Sequence, residues 1–284
     1  MAVAGADHPL VLNSIRLGVD AGLIDPVLIG SPENIRAAAR EINWDLGKHE
    51  IITVDGDQQT AVTAVGICKS KEAAALMKGH IHTDTLMKAV INRNTGLRTS
   101  RRLSHIFHMT IPNDKRVLMI TDGAVNVFPD TSTKIDIVNN AVGLAHALGN
   151  PAPRVAILSG TELVTPSMPS SIDANEVVKR ANAGEVTGAF VDGPFAFDNA
   201  VSPESAKLKN ISSPVAGQSD ILVVPNIETG NSLFKMMVYF MSGLAAGIVM
   251  GAEVPIVLTS RADPPEARLA ATAIASIVAN TARH

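Results

Sequence analysis

The sequence predicts an α/β protein whose sheets are mostly parallel. Short apolar runs, each about as long as a buried strand, alternate along the chain with segments of helical pattern. The chain is 46% hydrophobic and 18% charged, and only 3% of its residues are aromatic, so we expect an aliphatic core. Its 284 residues are enough for one large domain or two moderate ones.

The first half of the chain provides helix and strand signals in turn. Residues 9–21 have a helical pattern, and Ser31 followed by Pro32 is typical of a helix start, with a capping hydroxyl and a proline in the first turn. The strands predicted in this half are 26–30, 51–54, 105–111 and 117–121. The other predicted helices are 58–78, ending near Gly79, and 133–148.

In the second half, predicted buried strands alternate with helical segments. These strands are 155–158, 189–191, 221–224 and 254–258. The charge-free segment 236–252 is short for a membrane span and contains Gly243, Gly247 and Gly251, so we expect a buried helix. The run Asp263-Pro-Pro-Glu266 has the capping carboxylate, proline and later glutamate that begin a helix.

Composition argues against several classes of function. A net charge of −3 and few aromatic residues do not favour a nucleic-acid or membrane surface. Cys68 is the only cysteine, so a disulfide within the chain is impossible, and we expect a buried structural thiol and a reducing compartment. Residues 1–11 lack the basic segment of a secretory signal, so we expect a cytoplasmic protein.

Polar residues beyond the predicted strand 254–258 form the main candidate site. Ser260 and Arg261 could bind a phosphate or polarise a carbonyl, although a surface turn in which Arg261 pairs with Asp263 is the alternative. Asp263 and Glu266 could act as a base or only cap the helix. Ligands of open α/β sheets bind beyond the carboxyl ends of strands, so we expect an anionic ligand here.

Two segments of small residues could extend this site. The loop 213–217, with Ser213 and Gly217, allows a close approach of backbone to ligand. Thr229, Gly230 and Asn231 lie at the predicted start of a helix, where backbone N–H groups favour an anion.

Basic and histidine clusters give weaker signals. The densest basic cluster, which suits phosphates or a solvated loop, contains Arg93, Arg98, Arg101 and Arg102. The histidine pairs at 80 and 82 and at 105 and 108 have no acidic or cysteine partner at a recognisable spacing, so we expect no metal site. Rossmann and Walker motifs are absent, and the residues alone predict an α/β protein that binds an anion.

Six segments, in order along the chain, resemble the phosphate acetyltransferase and phosphate butyryltransferase family. They are LMKGHIHTDTLMKAV (76–90), GLRTSRRLSHIF (96–107), TDGAVNVFPD (121–130), DGPFAFDNAVS (192–202), SPVAGQSDILVVPNIETGN (213–231) and VPIVLTSRAD (254–263). The similarity extends over nearly the whole chain. The GLRT and LSHIF segments look more like the butyryl branch of the family.

This resemblance implies a reaction and a fold. The reaction converts acyl-CoA and inorganic phosphate to acyl phosphate and coenzyme A, with coenzyme A as a substrate and no bound cofactor or metal. The fold is similar to that of isocitrate and isopropylmalate dehydrogenases, with two lobes, 1–133 plus 246–284 and 134–245, an active-site cleft between them, and a homodimer or higher oligomer.

The resemblance also implies roles for individual residues where the motifs match. Ser260 matches the serine that hydrogen-bonds the acyl carbonyl, and Arg261 matches the arginine that binds phosphate and stabilises the transition state. The aspartate base of the acetyl enzymes aligns with Ala267, so Asp263 or Glu266 would replace it.

A second arginine of the family follows a Thr-x-x-Leu motif, which begins at Thr83 in this chain, and it aligns with Met87. Lys88, or Arg98 and Arg101, would then bind phosphate instead. These departures motivate one alternative, a homologue that binds coenzyme A or acyl phosphate but has lost turnover. A decarboxylating dehydrogenase is a further alternative, but we find no aspartate cluster suited to its metal.

Overall fold

The structure is a computed structural model that describes residues 1–47, 49–259 and 263–281. It forms two compact units, one comprising Met1–Arg101 with Ala246–His284 and the other Arg102–Ala245. In each unit mostly parallel strands are flanked by helices, so the predicted α/β class is confirmed. The lobes predicted from the sequence, 1–133 with 246–284 and 134–245, stay a prediction.

Strands and helices alternate over most of the chain. The strands are β1 (Ala2–Ala4), β2 (Val27–Gly30), β3 (Glu50–Thr53), β4 (Leu76–Lys78), β5 (Ser104–Thr110), β6 (Val117–Thr121), β7 (Arg154–Leu158), β8 (Phe190–Phe195), β9 (Ile221–Val223), β10 (Leu244–Met250) and β11 (Ile256–Val257). The helices are α1 (Pro9–Asp20), α2 (Pro32–Glu41), α3 (Asp57–Lys69), α4 (Thr83–Val90), α5 (Thr131–Ala147), α6 (Pro169–Arg180), α7 (Phe197–Val201), α8 (Pro203–Leu208), α9 (Ile227–Met241) and α10 (Pro265–Thr281), and a π-helical segment, Ala181–Glu185, follows α6.

In the first unit the strand order is β3-β2-β1-β4-β11-β10. Val3 of β1 lies opposite Leu28 of β2 and Met77 of β4, and all these neighbours are parallel, whereas β10 runs antiparallel to β11. Val3 and Leu28 are completely buried, as expected for strands covered on both faces. The carboxyl ends of β1, β4 and β11 therefore lie at the same edge of this sheet.

In the second unit the strand order is β5-β6-β9-β7-β8. Only β5 is antiparallel to its neighbour in this series, β6. One core cluster includes Phe107, Ile120, Leu222 and Met237, so α9 packs on the face of the sheet that carries Phe107. The ring of Phe107 stacks on that of Phe234, with centroids 3.7 Å apart.

Two predicted helices are wrong in part, because each runs into a strand. The segment 58–78 is helical only to Lys69, after which Lys71 adopts a left-handed backbone with φ 67° and the chain enters β4. The segment 236–252 is helical only to Met241, and Ser242, at φ 52°, leads into β10. Short apolar runs do not distinguish a buried strand from a buried helix by their period.

Other elements agree closely with the sequence. The helix predicted at 9–21 is α1, and the strand predicted at 117–121 is β6. Ser31 caps α2 as predicted, with its hydroxyl accepting from the backbone N–H of Asn34. Among the described residues, none of the helices is both long and apolar enough to cross a membrane.

Candidate functional site

A cavity of about 150 Å³ lies in the first unit, at the carboxyl ends of two neighbouring parallel strands. Lys78 is the last residue of β4, and Thr259 lies two residues beyond β11, and both line the cavity. The other polar side chains that line it are those of His8, Ser14, His80 and Arg268. This is the edge at which open α/β sheets bind their ligands.

Two glycines allow the backbone segments that follow β1 and β4 to pack closely against each other beside this cavity. The N–H of Gly79 donates to the carbonyl oxygen of Ala4 at 2.8 Å, and the N–H of His80 donates to that of Gly5 at 2.7 Å. A Cβ on Gly79 would lie 2.1 Å from the carbonyl oxygen of Gly5, and Gly5 has φ +80°. The segment between Lys78 and His80 is therefore held against the end of β1, which fixes both residues at the cavity.

Arg268 connects α10 to the start of α1. Its Nη1 donates to the carbonyl oxygen of Leu10 at 3.2 Å and to Oγ of Ser14 at 3.3 Å. Oγ of Ser14 in turn donates to the carbonyl oxygen of Leu10 at 2.9 Å. Arg268 is only 8% exposed, so these contacts fix a buried guanidinium beside the cavity.

The imidazole of His8 caps α1. Its Nδ1 accepts from the backbone N–H of Leu10 at 3.2 Å, and its ring lies 4.5 Å from the ring of His80. Nζ of Lys78 donates to the carbonyl oxygens of Gly79 and Ile81 at 3.3 and 3.5 Å. The cavity thus combines a lysine, an arginine, two imidazoles and the first turn of a helix.

Ser260 and Arg261, the central residues of the sequence prediction, lie outside the described residues. Their chain neighbour Thr259 lines the cavity. Asp263 is half-buried, and Glu266 is exposed in the first turn of α10. The roles predicted for these four residues stay predictions.

Four further candidates in the first unit are exposed. Thr83 begins α4, and Lys88 lies in its last turn. Arg98 forms an isolated β-bridge with Ala252, and the backbone N–H of Arg101 donates to Oγ1 of Thr99. Their side chains are accessible to a ligand, and their part in binding stays a prediction.

In the second unit, the start of α9 packs against the turn after β6. Asn226 caps the helix by accepting from the N–H of Thr229 at 3.0 Å and from its hydroxyl at 2.6 Å. A Cβ on Gly230 would lie 2.7 Å from the carbonyl oxygen of Asp122, and Nδ2 of Asn231 donates to the carbonyl oxygen of Gly123 at 3.3 Å. The start of α9, which carries Thr229, Gly230 and Asn231, is therefore held against the turn after β6.

A buried carboxylate organises that turn. Asp122 accepts from the backbone N–H groups of Ala124, Val125 and Asn126 at 2.9 to 3.1 Å, and from Nδ2 of Asn126 at 2.6 Å. Burial raises the pKa of Asp122, and these hydrogen bonds oppose the rise. Asp122 and Gly123 therefore belong to a structured bend that directly follows β6.

A second buried titratable group lies on β5. His105 is 3% exposed, and neither ring nitrogen has a hydrogen-bond partner in the described part of the chain. Its ring packs on that of Phe107 at 4.3 Å. Burial lowers the pKa of His105 to about 4, so the imidazole is neutral at pH 7.

Ser213 and Gly217 have structural contacts. Oγ of Ser213 accepts from the backbone N–H of Val215 at 3.1 Å. Gly217 has φ +77°, and a Cβ there would lie 2.6 Å from Cα of Pro203. These contacts shape the loop before β9, and ligand binding by the two residues stays a prediction.

Sequence reasoning did not identify Lys78, Arg268 or His8 as candidates for binding. The predicted helix 58–78 includes Lys78, whereas the structure places this residue at the end of β4. Arg268 lies beyond the Ser260-Arg261 motif, within the predicted helix, where an arginine is usually exposed. Recognising the apolar run 75–77 as the start of a strand could have drawn attention to Lys78 at its end.

Comparison with known proteins identifies the family. The family model described as "Phosphate acetyl/butaryl transferase" matches residues 57–276. A phosphate acetyltransferase of Rhizobium meliloti is 47% identical over 281 residues, covering 98% of this chain and 89% of the relative. A phosphate butyryltransferase of Clostridium beijerinckii is 38% identical over 279 residues, covering 98% and 92%.

A solved structure agrees. The crystal structure of a branched-chain phosphotransacylase from Enterococcus faecalis V583 superposes with a TM-score of 0.83 at 32% identity, covering 98% of this chain and 99% of that one. Identity is higher to the acetyl-named relative than to the butyryl-named one, so these names do not favour the butyryl branch. The resemblance seen in the sequence is confirmed, and the chain belongs to the phosphate acetyl/butyryl transferase family of acyltransferases.

Proposed function

We propose that this chain exchanges coenzyme A and inorganic phosphate on a short-chain acyl group. The match to the family over residues 57–276 carries the proposal. Acyl-CoA and phosphate are the substrates in one direction, and acyl phosphate and coenzyme A in the other. The acetyl and butyryl groups named in the relatives are the first candidates for the acyl group.

The proposed reaction is an attack of phosphate on a thioester. A phosphate oxygen forms a bond to the carbonyl carbon, the C–S bond breaks, and the thiolate of coenzyme A leaves and takes up a proton. Negative charge develops on the carbonyl oxygen in the tetrahedral intermediate. The hydroxyl of Ser260 and the guanidinium of Arg261 stabilise this charge, and such donors are most effective where water is excluded.

This chemistry requires binding and orientation rather than a cofactor. If the two substrates are aligned, neither a covalent enzyme intermediate nor a metal or redox group is needed. In the reverse direction the thiol of coenzyme A loses a proton. Asp263 or Glu266 accepts it, because Ala267, which aligns with the family's aspartate, has no titratable group.

In this proposal Lys88, or Arg98 and Arg101, bind phosphate in place of the family arginine that aligns with Met87. Exposure of Thr83, Lys88, Arg98 and Arg101 supports that role, since their polar groups are accessible to a large anionic substrate. Ser213, Gly217 and the start of α9 with Thr229, Gly230 and Asn231 complete the predicted set. The dehydrogenase-like arrangement of two lobes, a homo-oligomer and a cytoplasmic location are parts of the same proposal.

A thiol-release assay tests the function. Acetyl-, propionyl- and butyryl-CoA are each mixed with inorganic phosphate and the protein, and free thiol is measured. Cys68 does not interfere, because it is 2% exposed and burial raises the pKa of its thiol to about 12. Phosphate-dependent release is expected with at least one substrate, whereas binding of coenzyme A without release from any would favour the inactive homologue.

A further inference from the structure

We propose that the cavity lined by α1, β4 and α10 in the first unit binds inorganic phosphate, with Lys78 and Arg268 as its cationic contacts. This inference rests on the proposed function, in which phosphate is a substrate. The resemblance assigns no role to Lys78, although this residue lies in the matched segment 76–90, and none to Arg268. The cavity would therefore add two binding residues to the predicted Ser260 and Arg261.

The size of the cavity fits a compact anion. Its volume is about 150 Å³, several times the roughly 10–15 Å³ that a single water molecule needs by the same measure. Pockets for drug-sized ligands are about 300–1,000 Å³, and coenzyme A is larger than such ligands. A tetrahedral oxyanion with five heavy atoms can enter this space completely, whereas coenzyme A cannot.

The charge of the lining also favours an anion. Lys78 and Arg268 both line the cavity, and none of the described lining residues is an aspartate or a glutamate. The contacts of Nη1 with Leu10 and Ser14 hold the guanidinium of Arg268 in one orientation. A guanidinium fixed in this way provides a planar set of donors that matches phosphate oxygens.

The N-terminus of α1 adds to the positive charge beside the cavity. His8, Leu10 and Ser14, from the cap and first two turns of α1, contribute to the lining. The N-terminus of a helix carries a partial positive charge, which stabilises an anion nearby. The helix terminus therefore supports the two cationic side chains.

The position in the chain connects the cavity to the chemistry. Thr259 lines it, and Ser260, which is assigned to the acyl carbonyl, is the next residue. Phosphate is the nucleophile that attacks this carbonyl. A phosphate site lined by Thr259 would thus lie one residue along the chain from the predicted catalytic serine.

Replacing Lys78 by methionine tests the assignment, because methionine keeps most of the length of the side chain without its charge. The Lys78→Met variant should have a KM for phosphate raised about tenfold or more, since a charge-assisted contact is lost. Its KM for acyl-CoA should stay within about twofold of wild type. Lys179→Met, at an exposed position of α6 in the second unit, is the matched control and should change neither KM.

A binding measurement separates this inference from the proposed reaction. Inorganic phosphate alone should raise the Tm of the wild-type protein, because it binds only the folded state. The increase should be smaller in Lys78→Met and in Arg268→Lys, which keeps the charge but loses the planar guanidinium. If the wild type releases no coenzyme A, the proposed function fails, while the Tm measurement still decides whether the cavity binds phosphate.

Two results would overturn the assignment. One is a KM for phosphate and a phosphate-induced rise in Tm that are the same in Lys78→Met as in the wild type. The other is a raised KM for acyl-CoA with an unchanged KM for phosphate, which would show that Lys78 contacts coenzyme A instead. If Lys78→Met does not fold, the same comparisons are made with Arg268→Lys.

Discussion

The guanidinium of Arg268 and the hydroxyl of Ser14 are hydrogen-bonded, with Nη1 3.3 Å from Oγ. The two residues are 254 positions apart in sequence, and their contact joins α10 to α1. Both are buried, at 8% and 4% exposure. The contact therefore contributes to the packing of the first unit, and it also fixes a cation beside the cavity.

Ser14→Ala should destabilise the protein. The change removes an acceptor of Arg268 and a donor to the carbonyl oxygen of Leu10. Losing a hydrogen bond to a charged group in a buried position costs about 1–3 kcal/mol, which urea denaturation can measure as a decrease in the free energy of unfolding. Ser212→Ala, at an exposed position, should change it by no more than about 0.5 kcal/mol. Equal stability of the two variants would contradict this account.

Much of the fold could be predicted because local signals mark the starts of helices. Ser31 with Pro32 predicts the start of α2, and Asp263-Pro-Pro-Glu266 predicts that of α10. These signals depend on capping and on backbone preference, which act within a few residues. The strands β1, β4 and β10 are not predicted, because their short apolar runs fit a helix equally well.

The candidate site could be predicted only in part for the same reason. Sequence motifs led to the strand end at Thr259, which does line a cavity. The other side of the cavity comes from His8 and Ser14, which lie some 250 residues earlier and belong to no motif. The pairing of β1 with β4 and of β4 with β11 brings these segments together.

Gly79→Ala should strongly impair folding. A Cβ there would lie 2.1 Å from the carbonyl oxygen of Gly5 and 2.7 Å from that of Ala4, and a backbone contact cannot be relieved by a rotamer change. Overpacking costs about 1–3 kcal/mol even among side chains, so we expect a loss of at least that size or no folded protein.

Gly66→Ala is the matched control for Gly79→Ala. Gly66 lies within α3, and a Cβ there would have nothing within 4 Å. Because alanine favours a helix over glycine by about 0.5–1 kcal/mol, this variant should be as stable as the wild type or slightly more stable. Thermal unfolding of both variants would check the pair, and a Gly79→Ala protein as stable as Gly66→Ala would refute the argument.

His105 should make the stability depend on pH. Burial lowers the pKa of His105 to about 4 from its ordinary value of 6.5. Below pH 6.5 the unfolded chain binds a proton that the folded chain excludes, so the free energy of unfolding falls as the pH is lowered from 6.5 to 4. This difference in the pKa of His105 between the unfolded and folded states corresponds to a loss of about 3 kcal/mol in the free energy of unfolding over that range.

His105→Leu should remove this dependence. At pH 7 the variant should be at least as stable as the wild type, since the ring nitrogens have no hydrogen-bond partner among the described residues. As the pH falls to 4, the wild type should lose about 3 kcal/mol relative to the variant. Urea denaturation at several pH values measures the difference in the free energy of unfolding between the two proteins. Contributions from other titrating groups, such as His108, are common to both proteins and cancel in this difference. Parallel curves for the two proteins would show that His105 does not titrate in this way.

Arg261→Ala should abolish most of the turnover and leave the protein folded. In the proposed reaction this guanidinium stabilises the charge that develops on the acyl oxygen, and losing one such donor typically lowers kcat about a hundred- to thousandfold. Arg116→Ala is the control, because Arg116 is exposed and pairs with Asp114, in a loop of the second unit outside the predicted site. The thiol-release assay, with circular dichroism to check folding, compares the two variants. Activity of Arg261→Ala close to that of Arg116→Ala would remove Arg261 from the mechanism and leave Lys78 and Arg268 as the cations to examine.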